Sequence, residues 1–196
     1  MQDMPEVYYD RLKAHLQKTI PLSDTLFKQV KPFFTIRYLK KKEYLIKQAQ
    51  VSRYESYIAE GLFQAAIIDD AGKEHALYFP HEDWWAGDFK SFKTGEPSCM
   101  EIQALEDTVL LQITKSRLEA LYNAFPVFER FFRILNENAG IALQDRLVQH
   151  FTRNAEAQYK AFLEKYTGLH NRLPQKKIAS FLGLTPEYFS QMSRKK

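Results

Sequence analysis

The chain has 196 residues, 45% of them hydrophobic and 27% charged, with a formal net charge of +4. That apolar share supports a packed core and excludes wholesale disorder, and the length suits one domain or two small ones. A lone cysteine, Cys99, excludes a disulfide framework, an iron–sulfur cluster and any zinc site that needs several thiolates.

The charge is unevenly placed. Residues 151–196 carry nine Lys/Arg and three Asp/Glu, a net of +6, whereas residues 1–150 carry 19 and 21, a net of −2. A near-neutral body with a basic end fits an encounter with a polyanion, although a basic, solvated helix face would give the same count. No apolar run approaches the ~18 residues of a membrane span. The polar, acidic segment Met1–Asp10 is unlike a signal peptide. No membrane association is expected, and the expected location is cytoplasmic.

Val7, Leu12, Leu16 and Ile20 predict an amphipathic helix ended by Pro21, and Leu22–Val30 adds a turn or two before Pro32. From Phe33 to Ile113 short runs rich in Tyr, Phe, Ile and Leu alternate with turn signals. Examples are 34–39, 44–46, 54–59, 62–68 and 75–79, with Asp69-Asp70-Ala71-Gly72 as a hairpin turn. Strands at that spacing predict an antiparallel barrel or sandwich.

After Ile113 the period becomes helical. Thr114 is an N-cap, and Ile113 and Leu118 form a hydrophobic staple for a helix to about Ala124. Pro126 starts the next helix, which runs to about Thr152. One of its lines is Phe128, Phe131, Phe132, Leu135, Ala139, Ala142 and Arg146; Val127, Ile134, Ile141 and Val148 form another. So wide an apolar face buries more than one side. One line can pack on the barrel and the other can pair with a second copy of the chain. The first line is taken as the dimer interface. A further helix, Asn154–Tyr166, stops near Gly168.

The last 22 residues carry the most information. With Gly183 at a turn, Ile178, Leu182, Leu184, Phe189 and Met192 fall at buried positions, and Ala179 falls where two helices touch. Thr185 can cap the second helix with Pro186 at N1, as Pro174 can open the first. This is the pattern of a helix-turn-helix, and an ordinary αα-hairpin meets fewer of the constraints. Its second helix would present Thr185, Glu187, Tyr188, Ser190 and Gln191 to base edges. Glu187 can accept from cytosine and Gln191 can pair with adenine. Lys176, Lys177, Arg194, Lys195 and Lys196 suit phosphates.

Read together, the chain resembles the Crp/Fnr family of bacterial transcription regulators, most of all the short members common in Bacteroidetes. The resemblance covers nearly all of residues 20–196. It is carried by Lys41-Lys42-Glu43-Tyr44-Leu45, Tyr57-Ile58-Ala59-Glu60-Gly61, Asp70-Ala71-Gly72-Lys73-Glu74, Trp85-Ala86-Gly87-Asp88, Gly95-Glu96-Pro97-Ser98, Ala104-Leu105-Glu106-Asp107, and Leu173-Pro174-Gln175 through Arg194. It implies an α+β chain in three parts. Residues 1–125 would be a cyclic-nucleotide-binding-like antiparallel β-barrel of jelly-roll (double-stranded β-helix) type with flanking helices. Residues 126–152 would be a dimerisation helix, and 153–196 an all-α helix-turn-helix domain.

The resemblance implies a homodimer on a pseudo-palindromic double-stranded DNA site, RNA polymerase as a further partner, and no enzymatic activity. The alternative is a small-molecule-binding barrel whose helix-turn-helix serves protein contacts. The sequence stops directly after the second helix, without the β-hairpin wing of many relatives, which implies weaker DNA binding or fraying at Lys195-Lys196.

The effector pocket would comprise Trp85, Gly87, Asp88, Ser98, Cys99 and Met100. In members that bind cyclic nucleotides, a Glu after Gly takes the ribose and an Arg shortly after Pro neutralises the phosphate. Here Gly87-Asp88 offers a shorter acid, Ser98-Cys99-Met100 stands where the Arg would be, and no Lys or Arg lies between Lys93 and Lys115. A buried phosphate without a cation loses its strongest contact, which argues against cyclic AMP and cyclic GMP. Another small effector, or none, is left open, and no cofactor is expected. His75 and His81 read as strand and turn residues rather than haem ligands. Cys99 reads as a buried core thiol, and His81-Glu82-Asp83 as a solvated turn beside a packed Trp84–Trp85 pair.

Overall fold

The computed structural model describes residues 4–194, which contain eight α-helices and eight β-strands. The helices are α1 (Met4–Gln17), α2 (Asp24–Val30), α3 (Phe89–Thr94), α4 (Lys115–Ala124), α5 (Val127–Thr152), α6 (Ala155–Lys165), α7 (Gln175–Phe181) and α8 (Pro186–Ser193). The strands are β1 (Thr35–Leu39), β2 (Tyr44–Ile46), β3 (Tyr54–Glu60), β4 (Phe63–Ile68), β5 (Glu74–Tyr78), β6 (Trp85–Ala86), β7 (Glu101–Ala104) and β8 (Thr108–Thr114). One four-stranded sheet has the order β1-β8-β3-β6 and the other β2-β7-β4-β5. The resulting jelly-roll-like barrel, followed by a long helix and C-terminal helices, is the α+β architecture expected. Helix α3 went unpredicted.

The chain divides into two compact units, Met1–Ile67 with Phe79–Leu135, and Ile68–Tyr78 with Asn136–Lys196. The division differs from the 1–125, 126–152 and 153–196 boundaries read from the sequence. Packing partners, not chain order, decide which unit a segment joins.

In the first unit local signals set the element ends. Ser23, Asp88 and Thr114 each cap a helix by accepting from the backbone N–H three residues on. Ile113 and Leu118 of the staple are both buried. Antiparallel pairing runs from Thr35↔Gln112 to Leu39↔Thr108, and β3 takes the other side of β8 with a bulge between Ile58 and Glu60. The next residue, Gly61, has φ +104°, and an added Cβ would collide with the Thr108 side chain and lie 2.9 Å from Asp107 O. Only glycine meets both demands.

The core of this unit joins the inner barrel face to helices. Leu12 and Leu16 of α1, Val30 of α2, Tyr57 and Leu111 of the sheet, and Phe128, Phe131 and Phe132 of α5 lie in one buried cluster. Phe128, Phe131 and Phe132, expected at a dimer interface, are thus covered by their own chain. Burying each phenylalanine contributes roughly 1.5–3 kcal/mol, which favours turning that side of α5 to the core.

In the second unit Phe162, Tyr166, Leu169, Leu173, Ile178, Ala179, Phe189 and Met192 are buried. Phe162 and Phe181 are 5.3 Å apart by ring centroid, and Tyr159 meets Phe189 edge-on at 5.1 Å. Arg146 belongs to this interior. Its Nη2 donates to Ala76 O at 3.1 Å, and its guanidinium lies 4.2 Å from the Phe181 ring centroid. This intrachain engagement corrects its assignment to a dimer face. Leu135 and Ala142 are half-buried and Ala139 is exposed.

Candidate functional site

The helix-turn-helix forms from α7, the turn at Gly183 and α8. Gly183 takes φ +70°, a conformation that costs a side-chain-bearing residue about 1–2 kcal/mol. Ala179 is wholly buried, and its carbonyl accepts from Leu184 N at 2.9 Å across the turn. Thr185 caps α8 by accepting from Tyr188 N at 3.2 Å, with Pro186 in the first turn. Phe189 and Met192 face inward. Period and cap leave Thr185, Glu187, Tyr188, Gln191 and Arg194 exposed, and Ser190 half-buried. Lys195 and Lys196 lie outside the described residues.

The expected phosphate contacts separate into two kinds. Lys176 is exposed. The Nζ of Lys177 instead donates to both carboxylate oxygens of Glu74, at 2.9 and 2.8 Å. Lys177, expected to face a phosphate, is therefore already paired within the chain. The adjoining Ser180 Oγ donates to Glu74 O and accepts from Ala76 N, at 2.9 and 3.0 Å. These bonds fasten β5 to α7 across about a hundred residues of sequence, and no local pattern announces them.

In the barrel, Asp88 is buried and serves α3. Its Oδ1 accepts from Ser91 N at 3.1 Å, and its Oδ2 lies 2.7 Å from Ser98 Oγ. Ser98 Oγ is also 2.8 Å from Met100 O, so its one proton serves either acceptor, and it accepts from Met100 N at 3.1 Å. Ser91 Oγ donates to Glu96 O at 2.6 Å and accepts from Ser52 N at 2.9 Å. The acid and hydroxyl expected to face an effector thus bond to one another. Asp88 followed by Gly95 seven residues on was a readable helix signal; Gly95 takes φ +78° at the C-cap.

Other residues of that set go elsewhere. Trp85 packs with Tyr57, Phe131 and Phe132 at centroid distances of 5.9, 5.9 and 5.0 Å, and its Nε1 donates to His15 Nε2 at 3.2 Å. Trp84 instead meets the His81 ring at a tilt, 4.7 Å between centroids, so the two tryptophans part rather than pair. Cys99 is exposed, which corrects its reading as a core thiol. Gly87 and Met100 are half-buried. Among the described residues no group of three His, Cys, Asp or Glu side chains is placed to hold a metal ion, and no helix is long and apolar enough to cross a membrane.

Residues 36–125 match the cyclic nucleotide-binding domain family. Solved structures share the fold of the longer chain. FixK2 from Bradyrhizobium japonicum superposes with a TM-score of 0.71 at 15% identity, over 83% of each chain. The c-di-GMP-responsive global regulator CLP of Xanthomonas campestris gives 0.72 at 11% identity, over 88% of this chain and 91% of that one. A transcriptional regulator from Eubacterium rectale, ascribed to the Crp/Fnr family, gives 0.69 at 16% identity, over 88% and 82%. No curated protein matches the sequence. Residues 36–125 thus match a cyclic nucleotide-binding domain, and the chain as a whole shares the fold of these solved structures.

Proposed function

We propose that the protein is a DNA-binding transcription regulator of Crp/Fnr type rather than an enzyme, acting in the cytoplasm. The observation that carries this reading is the outer edge of α8, where a capped helix on a buried αα unit leaves Glu187, Tyr188 and Gln191 free for base edges. Lys176 and Arg194 supply phosphate contacts, and the excess of basic residues in 151–196 agrees. Dimerisation runs through α5, where Ile141, Leu143, Leu147, Val148 and Phe151 are exposed, Phe151 at 81%. RNA polymerase is the partner such a regulator addresses once on DNA.

The barrel takes no cyclic AMP. Asp88 and Ser98 satisfy each other, and no cation lies between Lys93 and Lys115 to meet a phosphate. The test is selection of bound duplexes from a random pool, with Glu187→Ala and Gln191→Ala as comparisons. A pseudo-palindromic consensus that relaxes at one position per half-site in each variant is expected. Absence of any consensus at low salt would favour a helix-turn-helix used for protein contacts.

A further inference from the structure

The turn between β4 and β5 is held by one side chain. Asp69 Oδ1 accepts from Ala71 N at 3.0 Å and Lys73 N at 2.9 Å, and Asp69 Oδ2 lies 2.7 Å from His75 Nε2. Gly72 takes φ +76° to close it. Beyond the turn, β5 is fastened to α7 through Glu74, Lys177 and Ser180. A groove of about 320 Å³ results, lined by Lys73 of the turn, Lys176 of α7, Leu184, and Pro186 at the start of α8, besides the Glu74–Lys177 pair. Lys73 and Lys176 are both exposed, and neither forms an ion pair among the described residues. Glu74 cancels Lys177, so the groove keeps two uncompensated positive charges. The positive end of the α8 dipole lies at the same place.

We infer that this groove takes a backbone phosphate of the bound duplex, with Lys73 as a DNA contact outside the helix-turn-helix. The inference rests on the regulator reading above. In a helix-turn-helix the first helix crosses the sugar–phosphate backbone while the second enters the major groove. Lys176 stands in the first turn of that first helix, so the strand that meets Lys176 passes the rim that Lys73 shares. The occupant is an anion by charge complementarity, and continuity with α8 makes it the duplex backbone. A contact of this kind adds affinity and salt dependence without sequence choice.

The experiment is fluorescence anisotropy of the full chain with a labelled random-sequence duplex at several KCl concentrations. Losing one phosphate contact lowers the log–log salt slope by about 0.9. Lys73→Ala is expected to show that drop with a several-fold loss of affinity at low salt, and Lys73→Arg to keep the wild-type slope. The thermal melt of Lys73→Ala should match wild type, since the side chain is exposed. If Lys176→Ala lowers the slope and Lys73→Ala leaves it unchanged, the Lys73 inference falls and the regulator reading stands. If wild type fails to bind at low salt, both fall.

Discussion

Glu55 illustrates how one half-buried side chain sets a pH response. It sits on β3 opposite Ile113, with Oε2 close enough to Gly87 that an added Cβ there would lie 3.4 Å away. Burial pushes its carboxyl up to about 7, and the charge of Lys93 only partly offsets this. The folded state therefore holds this proton more tightly than the unfolded chain. The stability it adds is complete below the unfolded value near 4.5 and is lost as pH rises through about 7. Glu55→Gln is expected to gain on wild type by roughly 2–3 kcal/mol across that window. Urea melts of both proteins at about pH 5 and about pH 8 measure it; a difference that does not change with pH refutes it. Asp88 is a second case. Asp88→Ala removes a cap and leaves Ser98 one acceptor fewer, a cost of about 1–2 kcal/mol, whereas Asp88→Asn keeps an oxygen for Ser91 N and costs less.

At the scale of elements, α8 depends on its turn. Gly183 has open space around the position of a Cβ, so Gly183→Ala meets no clash and its cost is conformational, about 1–2 kcal/mol. Thr185→Ala loses the cap on Tyr188 N, about 1 kcal/mol. Ala179→Leu is different in kind. The site is wholly buried between α7 and α8, so the added carbons force the helices apart. The expected order of midpoint loss in denaturant melts is Ala179→Leu, then Gly183→Ala, then Thr185→Ala. Helix α5 shows the same logic in its two halves. Phe131→Ala in the core is expected to cost about 3–5 kcal/mol, whereas exposed Leu147 carries little of the protomer's stability.

For the whole molecule, the proposed dimer rests on the exposed stripe of α5. Leu147→Glu with Phe151→Glu places charges on a face that is solvated in the single chain, at 51% and 81% exposure. The variant is expected to fold, to scatter light as a monomer at micromolar concentration, and to lose affinity for a two-half-site duplex. A variant that stays dimeric would move the interface elsewhere. Two recognition helices in such a dimer lie about one helical turn, ~34 Å, apart along DNA.

Features decided by neighbouring residues were legible in the chain. Caps at Thr114 and Thr185, the glycine turn at 183, the period of α5 and the strand-turn rhythm of 33–113 all act within a few residues, and each appears where it was expected. That was enough for the barrel, the long helix and the buried frame of the helix-turn-helix. The tertiary structure decided what depends on residues far apart. The line of α5 taken for the dimer face begins with Phe128, Phe131 and Phe132, which turn inward instead, because both lines are apolar and only the surface they meet breaks the tie. The compensation of Lys177 depended on Glu74, 103 residues away. Asp88 looked like a ligand-facing acid until Ser98 and the N-terminus of α3 claimed its oxygens. The +4 total became informative twice: first when divided at residue 150, then when pairing left Lys73 and Lys176 uncompensated, among the described residues, beside the start of α8. Charge is counted along the chain, but its field is set by which charges the fold neutralises.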